Sequence, residues 1–194
     1  GIPIISKIEL AYRFKGNSRI IGVTGSNGKT TTTALTHHIC LTGGMNCAMV
    51  GNIGYSFARQ VAINPKPLYI AEISSFQLEW IEQFRPQIGV MLNLTEDHLD
   101  RYASFADYCA AKERLFAFQT GADVAILNRD DPQVWDMRKR IKARVVSFGF
   151  TEVARGVFAT ADEIVWCDSG VEERFVLSAV KIHGVHNVEN MMAA

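Results

Sequence analysis

Short apolar runs recur along the chain at 20–24, 47–50, 68–73, 88–94, 123–128 and 144–148, and most of the intervals between them carry helical spacing. The runs read as strands buried on both faces, and their alternation with helices predicts an α/β domain on a mainly parallel sheet flanked by helices. After Gly149 the texture changes. Glu163-Ile164-Val165-Trp166-Cys167 and Arg174-Phe175-Val176-Leu177 flank an Asp168-Ser169-Gly170 turn, which predicts a small antiparallel β appendage in the C-terminal part. The pattern shows no internal repeat, low-complexity tract or linker.

Between the first apolar run and a helical pattern from Thr31 to Leu41 lies Gly22-Val23-Thr24-Gly25-Ser26-Asn27-Gly28-Lys29-Thr30. A glycine-rich turn between strand and helix, closed by Gly-Lys-Thr, reads as a phosphate-gripping P-loop. Backbone N–H groups and the helix N-terminus face an anion, Lys29 reaches outer phosphates, and the Thr30 hydroxyl suits magnesium. The common pattern places a glycine where this chain has Val23, and Gly25 supplies the turn instead.

Composition narrows the partners. The 194 residues are 48% hydrophobic and 21% charged, ordinary for one globular domain. With 20 basic and 20 acidic residues there is no support for a nucleic-acid partner. No apolar run approaches the roughly 20 residues of a membrane helix, and the start does not resemble a signal peptide. Cys40, Cys47, Cys109 and Cys167 form no C-x-x-C pair and fit buried thiols in a reducing cytoplasm.

Three further constellations fall just beyond strand ends, where a parallel sheet places its ligands. Glu72 interrupts the apolar run Leu68 to Ile73, and a buried carboxylate there needs a partner: a magnesium ion, a water it positions as base, or a structural ion pair. Asn93-Leu94-Thr95-Glu96-Asp97-His98-Leu99-Asp100-Arg101-Tyr102 could ligate a cation or meet a phosphorylated intermediate; its acids could equally cap a helix. A helix predicted from Ser104, with a Ser104/Asp107 capping box, carries an apolar stripe through Phe105, Tyr108, Cys109, Leu115 and Phe116. Lys112 falls on that stripe. It either snorkels outward to pair with an acid, or partial burial leaves a neutral amine able to take up carbon dioxide as a carbamate.

Together with Gly51-Asn52-Ile53-Gly54, Glu72-Ile73-Ser74-Ser75-Phe76-Gln77-Leu78-Glu79, Ala110-Ala111-Lys112 and His186-Asn187-Val188-Glu189-Asn190, these segments resemble the central ATPase domain of the Mur ligases over nearly the whole chain. The Ser-Ser-Phe-Gln-Leu-Glu and Thr-Glu-Asp-His-Leu-Asp-Arg-Tyr runs resemble the branch that joins D-glutamate to UDP-N-acetylmuramoyl-L-alanine in peptidoglycan synthesis. The Val23 departure is shared by this family's loop.

The resemblance implies an ATP-dependent amide-forming ligase working through an acyl phosphate. It implies ATP bound by Thr24, Gly25, Ser26, Asn27, Gly28, Lys29, Thr30 and Thr31, with Asn187 and Asn190 by the adenine; a helix N-cap is the other reading of Asn187. Lys29, Glu72, His98 and Lys112 would be catalytic. Thr30 and Glu72 would hold one Mg2+, and His98 with a carbamylated Lys112 a second cation. Asn52, Ser74 and His98 would place the substrate. A cytoplasmic monomer is implied. By the same likeness 1–18 would be a junction from an N-terminal domain and 19–194 a central ATP-binding domain truncated near its C-terminal end, unable to ligate alone. Alternatives are another Mur-type ligase or a folylpolyglutamate synthetase, a P-loop kinase or NTPase, or a non-enzymatic nucleotide-binding domain.

Overall fold

A computed structural model of the chain describes residues 4–96, 101–153, 155–181 and 184–194. The elements run α1 (Lys7–Phe14), β1 (Arg19–Thr24), α2 (Lys29–Thr42), β2 (Cys47–Gly51), α3 (Phe57–Ile63), β3 (Leu68–Glu72), α4 (Ser75–Glu79) and β4 (Ile88–Met91). They continue as α5 (Phe105–Glu113), β5 (Val124–Asn128), α6 (Pro132–Asp136), β6 (Arg144–Gly149), β7 (Gly156–Ala159), β8 (Glu163–Asp168), β9 (Val171–Val176) and α7 (Val185–Ala193).

One sheet holds all the strands in the order β2-β3-β1-β4-β5-β6-β7-β8-β9. Its pairs are parallel as far as β7, and β8 and β9 follow antiparallel. The chain leaves β1 toward β2 on one side, and leaves β4 toward β5 on the other. The crevice between the carboxyl ends of β1 and β4 is therefore the switch point where such sheets bind ligands. Side chains cover both faces. Ile8, Phe57, Leu78, Tyr108 and Leu115, from α1, α3, α4, α5 and the turn after it, pack on one face. Met192 and Ala193 of α7 and Cys40 of α2 pack on the other. That double burial explains why β1 to β5 read as continuous apolar runs.

The expected α/β architecture and the antiparallel C-terminal strands are both present, with three corrections. The antiparallel pair is no separate appendage, because β7 joins β6 in parallel and carries the main sheet on into β8 and β9. The run predicted at 88–94 leaves the sheet after Met91: Leu92 N–H still bonds Thr24 O at 3.0 Å, and from Asn93 onward the backbone turns to the loop after β1. The helix from Ser104 ends at Glu113, with Leu115 and Phe116 in a tighter 3-10 turn. The segment expected as a junction contains α1, capped by Ser6 Oγ accepting from Glu9 N–H at 3.3 Å.

Candidate functional site

Strand β1 delivers the loop to the switch point, and α2 starts at Lys29 with Gly28 as N-cap. Gly28 has φ +80°, and a Cβ there would sit 2.2 Å from Asn190 Oδ1, so geometry and space both demand glycine. Asn190 is buried and accepts from Thr32 Oγ1 at 3.2 Å, bracing α7 beneath the loop. Asn93 bonds the loop from the far side: its O accepts from Ser26 N–H at 2.9 Å, its Oδ1 from Asn27 N–H at 2.8 Å, and its Nδ2 donates to Asn27 O at 3.2 Å. Thr24 Oγ1 donates to Ile73 O at 2.8 Å. Among the described residues no side chain caps α2, whose first turn, with Thr30 and Thr31 exposed, meets solvent as an anion-accepting N-terminus.

Two lysines converge on the loop. Lys29 Nζ donates to Gly25 O at 2.9 Å and Ser26 O at 2.8 Å. Lys112 Nζ, on α5, donates to the same Gly25 O at 2.9 Å. Lys112 is 2% exposed, so it does not snorkel outward. Its ammonium also lies 4.9 Å from the centroid of the Tyr108 ring.

Glu72 ends β3, between Val23 of β1 and Gly51 of β2. Gly51 has φ +106°, and a Cβ there would lie 2.2 Å from Glu72 O. The Glu72 side chain is 2% exposed, and its hydrogen-bond partners among the described residues are neutral: Oε2 accepts from Thr30 Oγ1 at 2.8 Å and Oε1 from Asn52 Nδ2 at 3.0 Å. Thr30 and Glu72 thus present adjacent hard oxygens, the donor chemistry of Mg2+, which takes one or two protein oxygens and fills its octahedron with phosphate and water. Among the described residues no group of three or more His, Cys, Asp or Glu gathers as a cation site.

The remaining expected residues divide. Ser74 caps α4, accepting from Gln77 N–H while Gln77 Oε1 accepts from Ser74 N–H, so its hydroxyl is already engaged. Asn187 is not an N-cap: Gly184 takes that position, and Asn187 N–H bonds Gly184 O within the first turn of α7. His98, with Asp97 and Asp100, lies outside the described residues.

Sequence reasoning gave Asn93, Glu79 and Tyr108 no individual task. Glu79 accepts from Tyr102 Oη at 2.5 Å and Arg101 Nη2 at 2.8 Å, and Arg101 stacks 4.6 Å over the Phe76 ring. Burial and then the Glu79 bond push the Tyr102 phenol up to about 12. Burial raises the Glu79 carboxyl, but the Arg101 and Tyr102 bonds outweigh it and hold the group below its ordinary value. Tyr108 one helical turn before Lys112 was the available signal, since side chains at that spacing share a face.

A glycine loop at the switch point of a parallel sheet, with Lys29 and Thr30 opening the next helix and an acid on the adjoining strand, places the chain in the P-loop class. It belongs to the Mur ligase family: residues 23–194 match the model of the Mur ligase middle domain. A UDP-N-acetylmuramoylalanine--D-glutamate ligase of Pelobacter propionicus is 44% identical over 196 residues, covering 100% of this chain and 44% of that protein. The ligase of the same name from Geotalea daltonii is 47% identical over 193 residues, covering 98% of this chain and 42% of its own length. The chain therefore spans less than half the length of these relatives. A solved UDP-N-acetylmuramoyl-L-alanyl-D-glutamate--2,6-diaminopimelate ligase superposes with TM-score 0.74 at 24% identity, over 91% of this chain and 42% of that one. MurF ligase from Thermotoga maritima in complex with ADP gives 0.70 at 19%, over 96% and 47%. At these identities the two structures report the shared fold. Among the described residues no helix is long and apolar enough to cross a membrane.

Proposed function

We propose that this chain is the ATP-binding central domain of a ligase of the MurD branch, which adds D-glutamate to UDP-N-acetylmuramoyl-L-alanine in the cytoplasm. The observation that carries the reading is the Thr30–Glu72 pair, 2.8 Å apart beside the open N-terminus of α2. The carboxylate of the muramoyl-alanine substrate would attack the terminal phosphorus of ATP, forming an acyl phosphate and ADP. The D-glutamate amine would then attack the acyl carbon, forming the amide and expelling phosphate. Activation is needed because a free carboxylate has no adequate leaving group.

In this reading the amides of the loop and of the first turn of α2 bind the ATP phosphates, and Lys29 stabilises charge on the transferring group. Bound magnesium, held by Thr30 and Glu72, would neutralise charge on the phosphate oxygens. Asn52 keeps Glu72 oriented through its amide, and stands with Ser74 beside the acceptor end. Asn187 and Asn190, on α7, would lie by the adenine.

Two ammonium groups sharing one carbonyl oxygen repel each other. An anion in the loop relieves that repulsion, and so does conversion of the Lys112 amine with carbon dioxide to a carbamate and a proton. The carbamate would give His98 a carboxylate-like companion for a second cation. Domains flanking this one would supply the uridine and D-glutamate sites, so the 194 residues alone are expected not to ligate.

Hydroxylamine tests the acyl phosphate, which it intercepts as a hydroxamate. The full-length enzyme given ATP and the muramoyl-alanine substrate without D-glutamate should yield hydroxamate, and Glu72→Gln should lower its rate by about 10²-fold. Hydroxamate formation at the parental rate by Glu72→Gln would remove Glu72 from the reaction.

A further inference from the structure

Tyr108 is buried on α5, and its hydroxyl lies 3.0 Å from Ser26 Oγ in the phosphate loop. Ser26 Oγ also stands 3.1 Å from Thr95 O and 3.0 Å from Thr95 N. A serine hydroxyl has one hydrogen and two lone pairs. The Thr95 carbonyl can only accept, so it takes the Ser26 hydrogen. The Thr95 amide can only donate, so it uses one lone pair. Tyr108 must therefore donate its O–H to the other. Its hydroxyl ties the loop to α5, Ser26 ties the loop to the segment leaving β4, and the donor direction of Tyr108 is fixed by that three-way junction.

The same side chain has a second contact. Its ring face carries the Lys112 ammonium, 4.9 Å from the centroid, and Lys112 in turn donates to Gly25 O. Consecutive loop residues, Gly25 and Ser26, are thus held through one tyrosine, by its ring and its hydroxyl respectively. The ring is itself fixed edge-on against Tyr102, with centroids 5.4 Å apart, and Tyr102 is clamped to Glu79.

We propose that Tyr108 is a positioning residue of the phosphate loop, setting Ser26 with its hydroxyl so that the loop meets a nucleotide phosphate without first rearranging. The proposal rests on the reading of this loop as the ATP site. Its cost when broken falls on nucleotide binding, because an unset loop must be ordered by the ligand itself.

The test compares the full-length enzyme with Tyr108→Phe, Ser26→Ala, the double variant and Lys29→Ala, measuring magnesium-ATP affinity by titration, the KM for ATP and kcat. Tyr108→Phe keeps the ring and loses the donor. It is expected to raise Kd and KM for ATP about five- to tenfold while kcat stays within about twofold. In the Ser26→Ala background the same change should add less than about twofold, since the bond is already gone. A merely structural tyrosine would lower the unfolding temperature and leave the ATP KM alone. Parental Kd in Tyr108→Phe, or effects of the two single variants that multiply, would overturn the proposal. Ser26→Ala breaks the same bond from the loop side, and a parental Kd there overturns it however well Tyr108→Phe folds. If Lys29→Ala loses ATP and Tyr108→Phe does not, only the positioning role falls; if Lys29→Ala binds like the parent, the ATP reading falls and takes the role with it.

Discussion

Gly25 O receives hydrogen bonds from both Lys29 and Lys112, residues 83 positions and several elements apart along the chain. Lys29, Thr30 and the loop glycines were legible because a P-loop is a local motif whose function is written in consecutive residues. Glu72 was legible by contrast, as a charge in an apolar run, although its neutral partners Thr30 and Asn52 were not. Asn93, Asn190 and Tyr108 were illegible as loop braces because each reaches the loop only after the sheet and helices have packed. Gly28 shows how tightly these braces fit. Gly28→Ala places a methyl 2.2 Å from Asn190 Oδ1 at a φ of +80°, and is expected to destabilise by about 1–3 kcal/mol. Asn190→Gly should recover part of that loss by removing the steric component while leaving the backbone strain. Urea midpoints of the two single variants and the double variant measure both parts.

Element boundaries followed the apolar pattern to within a residue at β1, β2, β3, β5 and β6, and overran at β4, where Leu92 and Leu94 stay buried after the chain leaves the sheet. The strand β7 has only four residues, too short for a pattern, and β9 is exposed throughout, so neither announces its place in the main sheet. The helix α1 did carry a signal, Ser6-x-x-Glu9, the spacing of a capping box. Glu9 has a larger role than capping. Fully buried, its Oε2 accepts from the N–H groups of Glu82, Gln83 and Phe84 at 3.0, 3.0 and 2.9 Å, and its Oε1 from Arg13 Nε at 2.9 Å. These bonds fasten α1 to the segment between α4 and β4. Burial pushes the Glu9 carboxyl up, yet the donors outweigh it and the group titrates below its ordinary 4.5. The unfolded chain therefore binds the proton first as pH falls. The contribution is complete above the ordinary value and disappears as pH drops through the lowered folded value. Glu9→Gln is expected to cost about 1.5–3 kcal/mol at neutral pH and to flatten the acid limb of stability against pH, both read from urea unfolding at a series of pH values.

At the scale of the whole molecule, the strand order explains why these parts meet. The connection from β1 turns one way and that from β4 the other, opening a crevice that the loop occupies, with β3 presenting Glu72 alongside and α5 reaching over with Tyr108 and Lys112. The α7 helix closes the opposite face through Asn190. The central claim is that this arrangement is a phosphate site complete within these 194 residues. Calorimetric titration of magnesium-ATP into the chain, beside Lys29→Ala, tests it most directly. The account predicts one site per chain in the parent and its loss in the variant. Equal binding by Lys29→Ala, or none by a folded parent chain, would contradict it.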